Sequence, residues 1–473
     1  MVGGAVTESL LAIDVGTSST KLLLVSRDGT ILARRRLPHA THRPTPGAAE
    51  QNATEWWANL VTGTAELQAT IPDARIAGIG VTGQMHGVVL HDANGNVLRP
   101  AITWEDRRSA DLLMALQEHQ PDHPTVAPGY QAASWHWLAA NEPDTISRVA
   151  HLLLPKDEIV FRLTGRHVTD PSDAIGTGWS LAGARWHAGA LAMAGIVPGM
   201  LPEIAPSGAI AGPLTMDAAA TLGLEAGIPV VVAGGDAAVA AFGAGATALA
   251  TPLILLSTGC QSLQPAESMP ESEAWPSANP AGMPRWLRAA ATLNGGNVVD
   301  WARETFGEPA AQAEPDLTFL PYLAGERSDS LDAGASGAFV GLRTRHNRHD
   351  MSRAAIDGVS LALADAFERA GGEIGDTRPV LTGGGGTRDE AWLRCVADAL
   401  GRPVAAIGEP DLSAWGAGRS TATALGWIDP VASPATWRPA ARIVESDVPR
   451  AAAIDRLAGF RAIGSRVFGG NGD

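Results

Sequence analysis

An acid followed by small and hydroxylated residues is the clearest chemical signal in this sequence. Asp14 ends an apolar stretch, and residues 15–21 read Val-Gly-Thr-Ser-Ser-Thr-Lys. Glycine lets a backbone approach a phosphate closely, and hydroxyl and amide groups donate hydrogen bonds to its oxygens. A strand-end acid can also hold Mg²⁺ through water. The segment therefore favours a phosphate-binding loop over an ordinary polar hairpin, and the absence of G-x-x-x-x-G-K-[ST] excludes a Walker-type site. The candidate binding residues are Gly16, Thr17, Ser18 and Lys21.

A second acid, Asp236, follows Gly234-Gly235 and precedes residues 237–266, which contain no charged side chain. A carboxylate in such apolar surroundings is costly unless it is paired or used. In phosphoryl transfer, a carboxylate beside the acceptor hydroxyl can take its proton. We therefore predict that Asp236 is the base, with an N-cap role as the alternative. Asp170 and Asp173 are rival candidates whose Pro and Ser neighbours are more typical of a turn or helix cap.

Residues 83–87, Gly-Gln-Met-His-Gly, follow a predicted strand, where α/β proteins often place ligand contacts. Gln84 and His86 could donate hydrogen bonds to sugar hydroxyls, although an isolated His86 is more often a packed side chain. Residues 104–108, Trp-Glu-Asp-Arg-Arg, combine an aromatic surface with charged donors suited to a sugar, or alternatively begin a helix. Backbone amides for a second phosphate contact are expected at Thr258-Gly259, 295–296 and 383–386.

The elements that must position these residues alternate between strands and helices, and the second half of the chain restarts the pattern of the first. In the first half, strands are predicted at 10–16, 21–26, 30–37, 76–82 and 87–91, and a helix at 53–68. In the second half, strands are predicted at 228–234, 253–257 and 379–382, and helices at 237–248, 351–371 and 389–400. This order predicts a mixed α/β fold.

The composition restricts the function classes. A length of 473 residues allows two large domains or three small ones. Fifty acidic residues against 35 basic ones give a net charge of −15, the wrong sign for a protein that coats nucleic acid. Two cysteines and an N-terminus without a basic signal region favour the cytoplasm. The uncharged segment 237–266 is interrupted by Gly, Thr and Ser, so a buried helix leading into a strand explains it better than a membrane span.

Only two of the 35 basic residues are lysines, Lys21 and Lys156. Codon preference for arginine would explain the count. The alternative is a requirement for a compact ammonium group at those two positions, because Lys and Arg make different contacts.

A series of ordered segments resembles the FGGY family of carbohydrate kinases, and within it the xylulokinases, from Leu11 to about Gly426. The segments are I-D-V-G-T-S-S-T-K at 13–21, G-Q-M-H-G at 83–87, L-R-P-A-I-T-W-E-D-R-R at 98–108, L-L-P-K-D at 153–157, T-D-P-S-D-A at 169–174, G-G-D at 234–236, F-L-P-Y-L-A-G-E-R at 319–327, G-A-F-V-G-L at 337–342 and L-T-G-G-G at 381–385. The resemblance implies two actin-like (ribonuclease H-like) α/β ATPase domains with the active site in the cleft between them. It implies a sugar-binding domain over residues 1–243 and a nucleotide-binding domain with a C-terminal tail over residues 244–473.

The same resemblance implies roles for single residues. Asp14 matches the essential acid near Mg²⁺ and the phosphates, and Asp236 matches the proton acceptor. The residues that match the sugar contacts are Met85 and His86, with Gln84, Trp104 and Arg107 close by. The residues that match the phosphate and nucleotide contacts are Thr17, Thr258, Gly259, Gly295, Gly296, Gly384, Gly385 and Asp389.

Together these features predict a cytoplasmic enzyme that uses ATP and Mg²⁺ to phosphorylate a terminal hydroxyl of a ketopentose, foremost D-xylulose at O5. Its partners would be the sugar and ATP, without nucleic acid or membrane, and a homodimer is compatible with this reading. Ala237 stands where xylulokinases usually have Asn, which leaves ribulose, another ketose, or a polyol such as glycerol or erythritol open. A sugar-sensing pseudokinase and an actin-like or chaperone-like ATPase are the alternatives from other classes. The presence of both Asp14 and Asp236 argues against the pseudokinase.

Overall fold

The chain forms two compact units that do not follow the sequence continuously. The computed structural model describes residues 7–110, 129–181, 185–249, 251–269, 274–279, 285–314, 316–326, 335–431 and 434–468. The first unit comprises Met1–Gly243, Trp275–Arg285 and Asp411–Arg438. The second comprises Ala244–Ala274, Trp286–Pro410 and Pro439–Asp473. Two segments from the second half of the chain therefore belong to the first unit.

Strands β1–β14 lie in the first half of the chain. They are Thr7–Val15, Ser19–Ser26, Ile31–Pro38, Glu50–Gln51, Ala74–Gly83, Val89–His91, Ala101–Ile102, His151–Leu153, Val168–Thr169, Ser180–Leu181, Arg185–Trp186, Glu203–Ile204, Ala209–Pro213 and Pro229–Gly235. Six of them form one sheet in the order β13-β14-β5-β1-β2-β3. The central strand β1 is buried on both faces from Ser9 to Val15, as its continuous apolar run requires.

Strands β15–β23 follow in the second half. They are Leu253–Leu256, Cys260–Ala266, Ala274–Pro276, Trp286–Thr292, Thr318–Pro321, Gly337–Val340, Val380–Gly383, Val404–Ile407 and Ala441–Val444. Seven of them form a second sheet in the order β17-β18-β16-β15-β21-β22-β23. The remaining described strands form two-stranded pairs.

The described α-helices, numbered α1–α13 in chain order, cover the sheets. They are Ala53–Thr70, Gln131–Asn141, Pro143–Ile146, Pro155–Thr164, Pro171–Ala174, Ala188–Met193, Met216–Leu222, Asp236–Ala244, Gly296–Phe306, Arg348–Arg369, Glu390–Leu400, Leu412–Ala424 and Arg450–Phe468. Short 3₁₀ helices occupy 175–177, 198–200, 385–388 and 435–437.

The two large sheets share one pairing pattern. Reading β3-β2-β1-β5-β14-β13, the successive pairs are antiparallel, antiparallel, parallel, parallel and antiparallel. Reading β18-β16-β15-β21-β22-β23 gives the same series. The turn after β1, with Gly16 to Ser18, and the turn after β15, with Ser257 to Gly259, are therefore topologically equivalent. The sequence-based expectation that the second half repeats the first is confirmed.

Helix α12 shows why the segment after residue 410 belongs to the first unit. A β-carbon on Gly416 would overlap the Val239 carbonyl oxygen of α8, and one on Gly80 would overlap the Ala417 carbonyl oxygen. Glycine at both positions lets the backbones of α12, α8 and β5 approach closely. This packing fixes the helix that begins at Asp236.

Most predicted elements agree with the structure within a few residues, but two boundaries were wrong. The helix predicted at 237–248 begins at Asp236 and ends at Ala244, because Gly245 has a φ of +88° that ends the helical path. The strand predicted at 87–91 begins only at Val89, after His86 turns the chain with a φ of +70°. Within the described part of the chain, no helix combines the length and apolar character needed to cross a membrane.

A cluster of histidines lies beneath α4 in the first unit. His167 stacks on His151 and on Phe161, with ring centroids 3.9 and 4.5 Å apart, and His91 Nε2 lies 2.5 Å from the buried carboxylate of Glu158. Burial, reinforced by the neighbouring histidines, lowers the pKa of His167 to about 4. The folded protein therefore resists a proton that the unfolded chain accepts near pH 6.5.

We expect this histidine to make the protein acid-sensitive. The stability contributed by the neutral His167 is fully present above pH 6.5 and is lost as pH falls toward 4. His167→Phe keeps a stacking ring without the titration, so its thermal midpoint should fall less than that of the wild type between pH 7 and 4.5. His349→Phe in the second unit is the matched control. Parallel losses in wild type and His167→Phe would contradict the prediction.

Candidate active site

Three neighbouring parallel strands of the first unit end at the same edge of the sheet. The register places Val15 beside Gly83, and Gly83 beside Gly235. The segments that follow these strand ends are the turn at 16–18, the run 84–87 and helix α8 with Asp236. The carboxyl ends of parallel strands commonly border ligand sites, and here they bring together three motifs that are distant in sequence.

Asp14 and Lys21 form the charged centre of this edge. The two residues face each other across β1 and β2, and Lys21 Nζ donates to Asp14 Oδ2 at 2.8 Å. Asp14 is 1% exposed, and its carboxylate raises the pKa of Lys21. The other oxygen, Asp14 Oδ1, is buried and has no hydrogen-bond partner among the described residues. An orphaned carboxylate oxygen of this kind suits a cation or a cation-bound water.

Asp236 lies at the start of α8, where Oδ1 accepts a hydrogen bond from the Ala237 amide at 2.8 Å. Burial raises the pKa of Asp236 to about 7, and the Asp14 carboxylate adds to the effect. Lys21 opposes it weakly. A carboxyl group with a pKa near neutrality can both take and release a proton under physiological conditions. This geometry supports the prediction of a base without excluding a helix-start role.

The first turn is held by side chains rather than left free. Trp104 Nε1 donates to Thr17 Oγ1 at 2.9 Å, and Gln51 Nε2 donates to the Thr17 carbonyl at 2.6 Å. His39 Nε2 lies 3.0 Å from the Gly16 carbonyl, and Ser18 is exposed at the tip. The turn is therefore held in one conformation, and the Gly16 amide is used within it, donating to the Ser19 carbonyl at 3.1 Å. Trp104 was predicted to contact the sugar, and its indole directly contacts the predicted phosphate-binding loop.

The predicted sugar contacts separate into buried and half-buried residues. Gln84 is buried and donates to Gln51 Oε1 at 2.9 Å, which ties the strand end to the turn. Met85 packs so tightly on Gly235 that a β-carbon there would lie 2.9 Å from Met85 Cγ. Arg107 remains half-buried and donates to the Trp104 carbonyl at 3.3 Å.

His86 is the one non-glycine residue among those described with a positive φ, at +70°. Its ring stacks on Tyr130 with centroids 4.4 Å apart, and Nδ1 lies 2.8 Å from the Gly176 carbonyl. Because a carbonyl oxygen only accepts, Nδ1 carries the proton. A strained backbone held by stacking and a hydrogen bond is typical of a functional position.

Lys156 is fully enclosed and is surrounded by carboxylates. Its Nζ lies 2.7 Å from Asp157 Oδ1 and 3.5 Å from both Asp170 Oδ1 and Asp173 Oδ2, and all four side chains have zero exposure. Burial disfavours the ammonium, but the three carboxylates outweigh it and raise the pKa of Lys156. Burial and the surrounding carboxylates raise the pKa of Asp173 well above its ordinary value, which favours its protonated form. The rival base candidates Asp170 and Asp173 thus belong to an internal charge cluster, and Asp170 caps α5.

In the second unit, backbone hydrogen bonds hold the turn at 257–259, which is equivalent to the turn at 16–18. The Gly295 amide donates to the Thr258 carbonyl at 3.2 Å, and the Gly296 amide donates to the Ser257 carbonyl at 2.8 Å. A β-carbon on Gly259 would lie 2.7 Å from the Thr292 carbonyl oxygen. The turn and the start of α9 therefore pack backbone to backbone, and the amides of Gly295 and Gly296 are used within the protein.

The second glycine run follows β21. Gly384 has a φ of +92°, and a β-carbon there would overlap the Leu256 carbonyl oxygen, whereas Gly385 has open space around it. Asp389 accepts from the Trp392 amide at 3.1 Å as the cap of α11 and forms an ion pair with Arg303. Gly384 and Gly385 follow the end of β21, which is parallel to its neighbour β15. Arg327, the last residue of the 319–327 motif, lies outside the described residues.

One further acidic cluster in the second unit has the spacing of a metal site but not its chemistry. Glu314, Asp316 and His346 place their ligand atoms within 4.8 Å of one another. His346 Nδ1 accepts from the Arg343 amide at 3.0 Å, so Nε2 carries the proton and points toward Asp316. Two arginines also pair with Asp316. The cluster is a surface ion-pair network.

Sequence reasoning missed the residues that hold the site in place. Gln51 bridges Thr17, Thr41, Trp56 and Gln84, and Ser172 bridges Asp170 to the end of β14. Ser172 lies inside the motif at 169–174, so a signal was present. For Gln51 no pattern in the single sequence pointed to the role.

The chain belongs to the FGGY family of carbohydrate kinases, because residues 9–243 match its N-terminal domain and residues 274–425 match its C-terminal domain. The chain is 33% identical over 469 residues to the xylulose kinase of Streptomyces rubiginosus, covering 95% of both chains. It is 31% identical over 416 residues to the xylulose kinase of Escherichia coli K12, covering 83% of this chain and 85% of that one. The crystal structure of a xyloylose kinase from Brucella ovis has a TM-score of 0.87 and 32% identity, covering 97% and 99% of the two chains. The predicted family, enzyme class and two-domain α/β fold are confirmed, and a sugar and ATP are the small-molecule substrates that the family implies.

Proposed function

We propose that this chain is an ATP- and Mg²⁺-dependent xylulokinase that converts D-xylulose to D-xylulose 5-phosphate. The observation that carries the chemistry is the strand edge with Asp14, Lys21 and Asp236, where one buried acid is paired and the other has a pKa near 7. The sugar assignment is supported by relatives named xylulose kinases that align over 83–95% of this chain.

In the proposed reaction, a terminal hydroxyl oxygen of the sugar attacks the γ-phosphorus of ATP. The bond to the oxygen bridging the β- and γ-phosphates breaks, ADP leaves, and the hydroxyl proton passes to an Asp236 carboxylate oxygen. Met85, His86, Trp104 and Arg107 surround the sugar in this proposal. The fixed ring of His86 and the tight packing of Met85 on Gly235 would orient the hydroxyl toward Asp236.

Asp14 is the proposed residue for Mg²⁺, because its Oδ1 is buried without a partner while Oδ2 is satisfied by Lys21. Mg²⁺, when bound, would neutralise charge on the phosphate oxygens. Lys21 fixes the orientation of the Asp14 carboxylate, and the amides of Thr17 and Ser18 would donate to phosphate oxygens.

In this proposal, residues 244–473 bind the nucleotide and residues 1–243 bind the sugar. Thr258 and Gly259 would contact phosphates, while Gly295, Gly296, Gly384, Gly385 and Asp389 would surround the rest of the nucleotide. The support is the set of close backbone approaches that exclude side chains at Gly259, Gly295 and Gly384.

A substrate panel with coupled detection of ADP tests the proposal. We expect the highest kcat/KM with D-xylulose, and dependence on both ATP and Mg²⁺. Ribulose, glycerol, erythritol and gluconate are the comparison substrates, because Ala237 leaves room where xylulokinases usually have Asn. A better substrate among these would overturn the sugar assignment alone, whereas no ADP with any sugar or polyol would overturn the kinase activity.

A further inference from the structure

The peptide group between Gly234 and Gly235, one residue before Asp236, is held at both of its polar ends. Thr82 Oγ1 donates to the Gly234 carbonyl at 2.7 Å, and the Gly235 amide donates to Ser172 Oγ at 2.9 Å. The carbonyl of Gly234 and the amide of Gly235 belong to one planar peptide unit. Two side chains from different elements therefore fix the orientation of a single plane.

This peptide group lies in an irregular part of the backbone of β14. The pairing of β14 with β5 shifts register between Val232 and Gly234, and Gly234 has a φ of +139°, a conformation that only glycine adopts readily. A glycine pair has high conformational freedom. Without fixed hydrogen bonds, the strand end could reorient, and the side chain of Asp236 would move with it.

Ser172 is itself held by the buried charge cluster around Lys156. Its hydroxyl donates to Asp170 Oδ2 at 2.6 Å, and its amide donates to the same oxygen at 3.0 Å. The other oxygen, Asp170 Oδ1, lies 3.5 Å from Lys156 Nζ. Because the Ser172 proton is committed to a carboxylate, its oxygen must act as acceptor toward Gly235. The chain of contacts thus runs from Lys156 through Asp170 and Ser172 to Gly235.

We propose that Ser172 and Thr82 are positioning residues for Asp236, and that the cluster of Lys156, Asp157, Asp170 and Asp173 anchors Ser172. The inference rests on the proposed role of Asp236 as the base. All four side chains of the cluster have zero exposure, so its effect on turnover passes through the peptide at 234–235. Loss of either hydroxyl should misplace the base while the sugar and nucleotide contacts remain.

The test compares Ser172→Ala, Thr82→Val and Ser207→Ala. Ser207 is the matched control, because its hydroxyl donates to the same Asp170 Oδ2 at 2.7 Å, whereas the side-chain bonds to the peptide group at 234–235 come from Thr82 and Ser172. We expect Ser172→Ala and Thr82→Val to lower kcat about 10-fold, within the range for a displaced base, with KM changed less than about 2-fold. Ser207→Ala should keep kcat within about 2-fold of wild type.

Two further measurements make the result specific. In an Asp236→Asn background, Ser172→Ala should lower the residual kcat less than 2-fold, because the group it positions is absent. Hydrogen exchange at the Gly235 amide should accelerate in Ser172→Ala whatever the substrate.

Unchanged kcat in both hydroxyl variants, an equal loss in Ser207→Ala, or a full 10-fold loss in the Asp236→Asn background would overturn the proposal. An inactive wild type would instead overturn the proposed function, and Thr82→Val keeps the test decisive if Ser172→Ala does not fold.

Discussion

Asp236→Asn is expected to lower kcat at least ~10²-fold, the lower end of what a general base contributes. Asn keeps the size of the side chain and can still accept from the Ala237 amide, so the start of α8 should persist. It cannot accept the sugar proton. Single-turnover phosphorylation of D-xylulose measures the loss, and KM should change little, because the substitution removes a group needed in the transition state. Turnover within about 5-fold of wild type would show that another residue takes the proton.

The same variant carries a pH prediction of defined sign. In the wild type, kcat should rise as pH increases through about 7, because only the carboxylate form of Asp236 can act as base. The folded state holds this proton more tightly than the unfolded chain, whose pKa is near 3.8. Folding therefore loses stability as pH rises from 3.8 to 7, by roughly 2–4 kcal/mol at the upper end. Asp14 and Lys21 are the charged groups that influence the pKa of Asp236, and Asp236 in turn raises the pKa of Asp173.

Thermal unfolding in EDTA separates this effect from catalysis. Asp236→Asn should melt above the wild type at pH 8, and the difference should shrink toward pH 4.5. A variant that melts below the wild type at pH 8 would indicate that the carboxylate serves mainly as a structural cap. Activity loss together with increased stability is the combination expected of a desolvated catalytic carboxylate.

Lys156→Met is expected to destabilise the first unit by about 3–5 kcal/mol, because removing one partner leaves buried carboxylates without their cation. Asp157, Asp170 and Asp173 all have zero side-chain exposure, so water cannot replace the ammonium. Denaturant unfolding followed by tryptophan fluorescence measures the loss. A Lys156→Met protein as stable as wild type would contradict the prediction.

Lys156→Arg should also destabilise the fold, by about 1–3 kcal/mol, because the enclosed site surrounds a single compact nitrogen and an added guanidinium would overpack it. Lys21→Arg is the matched control for stability, since the Lys21 side chain is 21% exposed and has room to rearrange. A different result at the two positions would show that the requirement for lysine at Lys156 is steric. Equal tolerance at both would return the scarcity of lysine to codon preference.

Local sequence patterns were sufficient to predict the elements and motifs at the strand ends. β1 is a continuous apolar run ending in an acid, and such a run is recognisable because a central strand is buried on both faces. Asp236 stood out because a charge beside a long uncharged segment is costly. These signals depend on neighbours in the chain, which a sequence displays directly.

The supporting contacts could not be predicted for the opposite reason. Gln51 meets Thr17 and Gln84 only after three elements have packed together. α12 joins the first unit from the second half of the chain through glycine contacts that no periodicity reveals. The enclosure of Lys156 could not be predicted either, because its burial depends on two aspartates from a later segment.

Because the two large sheets share one pairing pattern, equivalent cross-strand positions can be compared between them. The cross-strand pair Asp14 and Lys21 in the first sheet corresponds by register to Leu255 and Gln261 in the second. The equivalent positions therefore hold an ion pair in the first sheet and neutral side chains in the second. If the second sheet binds the nucleotide as proposed, substitutions at its neutral positions would alter nucleotide affinity without changing a titrating group, so affinity and acid–base chemistry could vary independently.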